Sequence, residues 1–186
     1  MRQRISAGKP YFLYAGAIHP RKNIDGLIRA FDQFKQSTGS EFKLVLAGRM
    51  AWQTGSVNTA LETAIFRKDI VLTGHLESGL EDLTAAAHAL VYPSFYEGFG
   101  LPIIESIKCR IPVITSNLAF MPEVAGDAGI LIDPHSQREL VDAMRIMAND
   151  MAVYDRLVQR CAAQAARFSW EKTAADVSDA LLRIVR

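Results

Sequence analysis

Two carboxylates, Glu97 and Glu105, bracket the segment Gly98-Phe99-Gly100-Leu101-Pro102. Carboxylates suit hydroxyl-bearing ligands, because each accepts two or more hydrogen bonds. Glycines let backbone approach a ligand closely, and Pro102 fits a first helical turn, where its missing N–H is not needed. The segment therefore predicts a helix start with Glu105 in its first turn. Its unpaired N–H groups would face a pyrophosphate or an oxygen-rich sugar. A second group, Gly16-Ala17-Ile18-His19-Pro20-Arg21-Lys22-Asn23, sets two adjacent cations just ahead of a helix N-terminus. There the dipole and the free donors already favour an anion, and phosphate is the natural guest. The alternatives are plain. Arg21 and Lys22 can be a solvated turn, Glu105 an acid that serves only the helix dipole, and Glu97 a surface acid. A third group, Thr115-Ser116-Asn117 with Met121-Pro122-Glu123-Val124 and Gly126-Asp127-Ala128-Gly129, reads as turn and cap chemistry followed by a short Pro-started helix.

The elements that must position these residues follow from hydrophobic pattern. Continuous apolar runs at residues 11–16, 43–48, 70–74, 89–93 and 112–115 predict five strands, and such runs suit strands buried on both faces. Three of them end on glycine. Ile24, Leu27, Ile28, Phe31 and Phe34 form one stripe of a helix entered through Asn23 as its cap. Further helices are expected at residues 57–66, 80–88 and 101–109, and after Pro134 helices only, at 137–148, 152–167 and 170–184. In the last two, the positions Leu157, Val158, Cys161 and Ala165, or Val177, Ala180, Leu181 and Ile184, read as packing faces. Alternation of strand and helix calls for one α/β domain, a Rossmann-like doubly wound parallel sheet with helices on both faces and a helical C-terminal flank. Residues 1–9 read as a polar lead-in and 10–186 as the domain. In such sheets ligands bind at the carboxyl ends of the strands, where all three groups fall.

At 186 residues the chain has room for one sizeable domain. Its net charge is +1, and Arg2, Arg4 and Lys9 lie in the first ten residues, so the remainder is slightly acidic. A broad basic footprint for nucleic acid is absent, and any anion site must be local. The two cysteines, Cys109 and Cys161, lack zinc-ligand spacing and fit a reducing compartment. The apolar run from Tyr11 to Ile18 is too short to span a membrane, and a cytoplasmic location is expected.

Taken together, these segments resemble the C-terminal, nucleotide-sugar-binding half of the family 4 retaining glycosyltransferases, group 1 type, enzymes of the two-Rossmann GT-B fold. The resemblance covers nearly the whole chain. It rests on Gly16 to Asn23, Leu46-Ala47-Gly48, Thr73-Gly74-His75, Tyr96 to Pro102 with Glu105, Pro112 to Thr115, Pro122-Glu123-Val124 with Gly126 to Gly129, and Phe168-Ser169-Trp170. The paired glutamates around Gly-Phe-Gly are its specific part. It implies that Arg21 and Lys22 bind the donor pyrophosphate and that Glu97, with Gly98, Phe99 and Gly100, holds the transferred sugar. Glu105 would take the ribose hydroxyls, and the base would lie near Arg49 and His75, although His75 can equally be a bland loop residue. Gly16 and Leu101 complete the donor-binding set; Glu97, Arg21 and Lys22 are the catalytic set. Two departures stand out. Ala17 replaces an arginine common in relatives, which throws the pyrophosphate charge onto Arg21 and Lys22. Lys108-Cys109-Arg110 replaces Ala-Cys-Gly, so the loop before Pro112 is expected to take a slightly different path.

The resemblance implies transfer with retention. Charge builds on the leaving diphosphate as the anomeric carbon gains oxocarbenium character. Two cations and a helix N-terminus stabilise that charge as fixed electrostatics. With no Asp-x-Asp pair in the sequence, the expectation is metal-independent transfer, no cofactor, and a UDP- or GDP-sugar substrate. The His-Pro-Arg-Lys-Asn loop together with Tyr-Pro-Ser-Phe-Tyr-Glu-Gly-Phe-Gly looks most like bacterial mannosyltransferase-type members, which implies GDP-mannose and a saccharide or lipid-linked acceptor in polysaccharide biosynthesis. A glycosidase would need both carboxylates to flank one bond, and a nicotinamide enzyme the Gly-x-Gly-x-x-Gly turn, so neither is expected. The acceptor site belongs to the N-terminal GT-B domain, which this sequence lacks, and any peripheral membrane contact is expected there too. Binding without turnover is therefore expected of this chain alone. The alternative is a stand-alone nucleotide-sugar-binding module, or a subunit of a split glycosyltransferase.

Overall fold

The computed structural model describes residues 1–52 and 54–184. Its elements in chain order are α1 (Arg2–Ser6), β1 (Tyr11–Ala15), α2 (Ile24–Thr38), β2 (Lys43–Ala47), α3 (Gly55–Thr63), β3 (Ile70–Gly74), α4 (Leu80–Ala85) and β4 (Ala89–Tyr92). They continue with α5 (Leu101–Lys108), β5 (Val113–Ser116), α6 (Met121–Ala125), β6 (Gly129–Ile132), α7 (Gln137–Asn149), α8 (Met151–Ala165) and α9 (Trp170–Ile184). The strands form one parallel sheet in the order β3-β2-β1-β4-β5-β6, with β1 pairing both β2 and β4. Strand order reverses between β1 and β4, so the loops leaving those two strands flank the switch point at which doubly wound folds bind ligands.

Strands β1, β4 and β5 bury every residue, and β2 all but Lys43. Tyr11, Phe12, Leu13 and Tyr14 of β1 and Leu44, Val45 and Leu46 of β2 are fully enclosed, which requires cover on both faces. One cover comes from α2, whose stripe Ile24, Leu27, Ile28, Phe31 and Phe34 is fully buried as its period predicts. This helix packs on α3 and α7, while α5 packs on α4, α6 and α8.

Several expectations change. A sixth strand, β6, lies where only a glycine turn was expected; its half-exposed pattern lacks the continuous burial that marks the other strands. Exposure also appears in β3, because as the edge strand it leaves Leu72 40% exposed, so its apolar run does not mean burial on both faces. The expected lead-in contains α1, whose Arg2 Nε donates to the Ala86 carbonyl at 2.6 Å. Asn23 stands at the N-cap of α2 but does not cap it. Its backbone is left-handed (φ 54°), and its side-chain amide donates instead to the Pro134 carbonyl at 2.9 Å. Arg110 adopts φ 59°, the left-handed conformation a glycine would supply, so the tight turn before β5 survives without one. Finally, α9 buries no residue at all: Val177, Leu181 and Ile184 are exposed, and the packing face expected there has no partner among the described residues. Among the described residues, no helix is long and apolar enough to cross a membrane.

Candidate functional site

The site is assembled by backbone bonds between the two switch-point loops. After β1 the chain turns through a 3-10 helix at Pro20–Lys22, and the Arg21 carbonyl accepts from Phe95 N–H at 2.9 Å. That bond joins the loop after β4 to the loop after β1. The β4 loop is fastened from its other side by β5: Thr115 Oγ1 donates to the Tyr92 carbonyl at 2.9 Å and Ser116 Oγ to the Ser94 carbonyl at 2.5 Å. Both hydroxyls are fully buried. The third sequence group, read as turn and cap chemistry, thus holds in place the β4 loop that carries Glu97.

These bonds bring Arg21, Lys22 and Glu97 into direct contact. Lys22 Nζ pairs with Glu97 Oε1, and it also donates to the Tyr92 hydroxyl at 2.7 Å while lying 4.9 Å from that ring's centroid. Arg21 Nη1 reaches Glu97 Oε2 at 3.2 Å and the Tyr96 carbonyl at 3.0 Å. The lysine and glutamate side chains are each only 9% exposed, whereas the arginine is 49% exposed. Burial by itself would raise the Glu97 pKa; the bond from Lys22, the nearby Ser94 hydroxyl and the charges of Lys22 and Arg21 outweigh it and hold the carboxyl below its ordinary value. Lys22 moves down as well, because burial disfavours its charge more than Glu97 supports it. The Tyr92 phenol is pushed up, first by burial and then by the Glu97 charge. Two cations against one carboxylate leave this pocket net positive. Beside it Ser94 Oγ is fully buried close to Glu97 and meets no partner at full hydrogen-bond geometry among the described residues.

A second cluster forms where β1, β2 and β3 end. Gly16, Ala17, Gly48, Arg49, His75 and Leu76 line a cavity of about 200 Å³. Gly48 is required there: its φ is 153°, and a Cβ on it would stand 1.8 Å from the Gly16 carbonyl oxygen. Gly16 and His75 are thus brought together, although far apart in sequence.

The remaining predicted residues fall differently. Gly100 is left-handed (φ 95°) and precedes α5, with Pro102 in its first turn, as the motif predicts. Gly98 has ordinary backbone, and a Cβ on it would meet nothing. The Phe99 ring meets Phe168 edge-on, with centroids 5.9 Å apart. Glu105 is the fifth residue of α5, beyond the first turn where it was expected, and the bare dipole explanation for an acid there weakens accordingly. It is exposed and lines a separate cavity of about 150 Å³ with Phe99, Leu101, Ile104, Phe168 and Trp170. Tyr92, Ser94 and Ser116 lie inside segments that the motif reading quoted, but it gave them no role in the site; the polar positions within and just after two buried runs were the available signal.

Comparison with known proteins bears on this arrangement. The family model described as "Glycosyl transferases group 1" matches residues 2–168. Among curated proteins, the chain is 38% identical over 166 residues to the O-antigen chain mannosyltransferase B of Escherichia coli, covering 89% of this chain and 44% of that protein. It is 30% identical over 155 residues to the O-antigen chain mannosyltransferase RfbU of Salmonella typhimurium, covering 78% of this chain and 43% of that one. The chain therefore spans less than half the length of these relatives. Among solved structures it superimposes on WaaG, a glycosyltransferase involved in lipopolysaccharide biosynthesis, with a TM-score of 0.81 at 23% identity over 95% of this chain and 49% of that one. On Anabaena HepE, solved in complex with UDP-glucose, the TM-score is 0.87 at 18% identity, over 98% and 51%. At these identities the structures establish a shared fold, one half of GT-B.

Proposed function

Because the chain belongs to the group 1 glycosyl transferases, we propose that it is the donor-binding domain of a retaining enzyme that transfers mannose from a nucleoside diphosphate sugar to a saccharide or lipid-linked acceptor. The observation that carries this reading is the contact of Arg21 and Lys22 with Glu97 across the switch point. Mannose is favoured by the names of the similar curated proteins, two of them mannosyltransferases of O-antigen chains. A second, acceptor-binding Rossmann domain is part of the proposal, in keeping with the share of its relatives that the chain covers.

The chemistry follows from the charges. Without donor, Glu97 is the counter-ion of both cations. An arriving pyrophosphate carries more negative charge than a carboxylate and competes for Arg21, the exposed member of the trio. That competition frees a Glu97 oxygen to accept from a sugar hydroxyl, with Ser94 Oγ as a further partner. As the bond from the anomeric carbon to the phosphate oxygen breaks, negative charge grows on the diphosphate, and Arg21 and Lys22 are already fixed to stabilise it. These cations take the part a divalent metal has in other transferases, so transfer is proposed to be metal-independent. The base occupies the cavity at Gly48, Arg49 and His75. The Glu105 contact to ribose is the outlying element, since that side chain lines the neighbouring cavity.

The 186 residues by themselves are proposed to bind without turnover, in a cytoplasmic setting. Titration calorimetry with GDP-mannose, UDP-glucose, ADP-glucose and NADH tests the reading. A nucleotide sugar binds and NADH does not. Absence of binding by every nucleotide sugar overturns the donor-site assignment, and sugar transfer by the isolated chain overturns its inactivity. Glu105→Gln weakens ribose-containing ligands if the ribose contact holds; unchanged affinity returns Glu105 to a surface role.

A further inference from the structure

We propose that Trp52 and His19 form a saccharide-binding platform at the rim of the donor site, which takes an outer pyranose ring of an acceptor whose reacting end is held by the acceptor domain. Beyond the glycines that end β1 and β2, the two loops are stitched together again. Ile18 N–H donates to the Arg49 carbonyl and Ala51 N–H to the Ile18 carbonyl, each at 2.9 Å, and Ile18 pairs with Met50 in a parallel bridge. Ile18 is buried, so this clasp is anchored in the core. It presents the Trp52 ring to His19, with centroids 5.0 Å apart and planes at 79°. Trp52 nevertheless stays 67% exposed. A large aromatic ring carried on this hydrogen-bonded clasp beyond the carboxyl ends of β1 and β2, paired with a histidine and open to water, offers its face to a ligand.

The chemistry of the pair selects a sugar. An aromatic face carries partial negative charge and attracts the C–H face of a pyranose, whose carbons are polarised by their oxygens. His19 Nδ1 accepts from Arg21 N–H at 3.2 Å, so the neutral ring carries its proton on Nε2, which is then a donor for a sugar hydroxyl. The same bond ties the platform to Arg21, whose guanidinium contacts Glu97. Neither His19 nor Trp52 lines the cavity at Gly48, Arg49 and His75, so the platform lies outside the space given to the base.

This inference rests on the glycosyltransferase reading, and the test separates the two. The chain has two tryptophans and hence two indole N–H signals in an NMR spectrum, which Trp52→Phe assigns. With α-mannotriose as probe, in the presence of GDP, the Trp52 signal shifts saturably while that of Trp170 stays in place. His19→Ala weakens the response by roughly fivefold, as loss of one aromatic edge contact implies. A Trp52 signal unmoved by saccharide up to ~10 mM, well above the millimolar range of a weak contact, overturns the platform even where nucleotide binds normally. A Trp52 shift caused by GDP alone also overturns it, because the ring then serves the base. Absence of nucleotide binding in the parallel calorimetry is failure of the underlying reading.

Discussion

Lys22 and Arg21 are adjacent cations of one motif, yet they meet different environments and removing them has different consequences. Lys22→Ala takes away a buried partner of Glu97, and breaking such a pair costs about 3 kcal/mol of stability, read in urea unfolding. Arg21→Ala removes a half-exposed charge and costs less than about 1 kcal/mol. Each weakens nucleoside diphosphate binding by roughly tenfold or more, with little effect on the nucleoside, because one charge-assisted contact contributes about 1.5 to 3 kcal/mol. Equal loss for both ligands in calorimetry sinks the phosphate role. Glu97 supplies the pH dependence. Its folded pKa lies below the ordinary 4.5, so the folded state binds its proton less readily than the unfolded state. The stability it contributes is complete above pH 4.5 and is lost as pH falls through the lower folded value. In Glu97→Gln that acid-dependent part disappears, which urea midpoints measured between neutral pH and pH 3 reveal. These residues were legible one by one from type and spacing. Their mutual contact was not, because 75 residues separate Lys22 from Glu97.

Among the elements, the strand runs and the helix stripes were readable because burial imposes an apolar pattern on each. That logic holds best for β1 and α2, which are enclosed, and breaks at the edges of the sheet. Each edge strand has only one neighbour, so β3 can be apolar without being buried, and β6 can form on four residues with no enclosed run to announce it. Local turn chemistry failed for a related reason. Asn23 has a cap residue's identity, but Pro134 offers its side chain a better-placed acceptor, and no local rule contains that partner. Arg110 shows the opposite tension: tertiary packing imposes a left-handed turn on a residue that resists it. Because Arg110 is exposed, Arg110→Gly removes backbone strain without disturbing the core. The expected gain is about 0.5 kcal/mol, the strain of roughly 1 kcal/mol less the added unfolded-chain entropy of glycine. A small rise in melting temperature checks it, and a fall means that the side chain contributes a contact that outweighs the strain.

At the scale of the whole molecule, the most telling feature is α9, an amphipathic helix with no buried residue, which meets its own domain only where Trp170 and Thr173 line the cavity beside Phe99. A chain ended after Ser169 keeps its urea unfolding free energy within about 0.5 kcal/mol, since only exposed surface is removed. A loss above about 1 kcal/mol shows that the helix packs on the domain in solution. Length and motif spacing by themselves determined a single doubly wound domain, a glycosyltransferase resemblance, and the loops in which its ligand residues lie. Each of those is a local property, written in hydrophobic period, in glycine, and in the identity of charged residues. Only the tertiary structure decided that Glu97 sits between the two cations, that Thr115 and Ser116 hold its loop, that Glu105 lines a different cavity, and that Trp52 meets His19. These contacts join segments far apart in the chain, and their geometry is set by strand order and packing, which residue type and spacing do not encode.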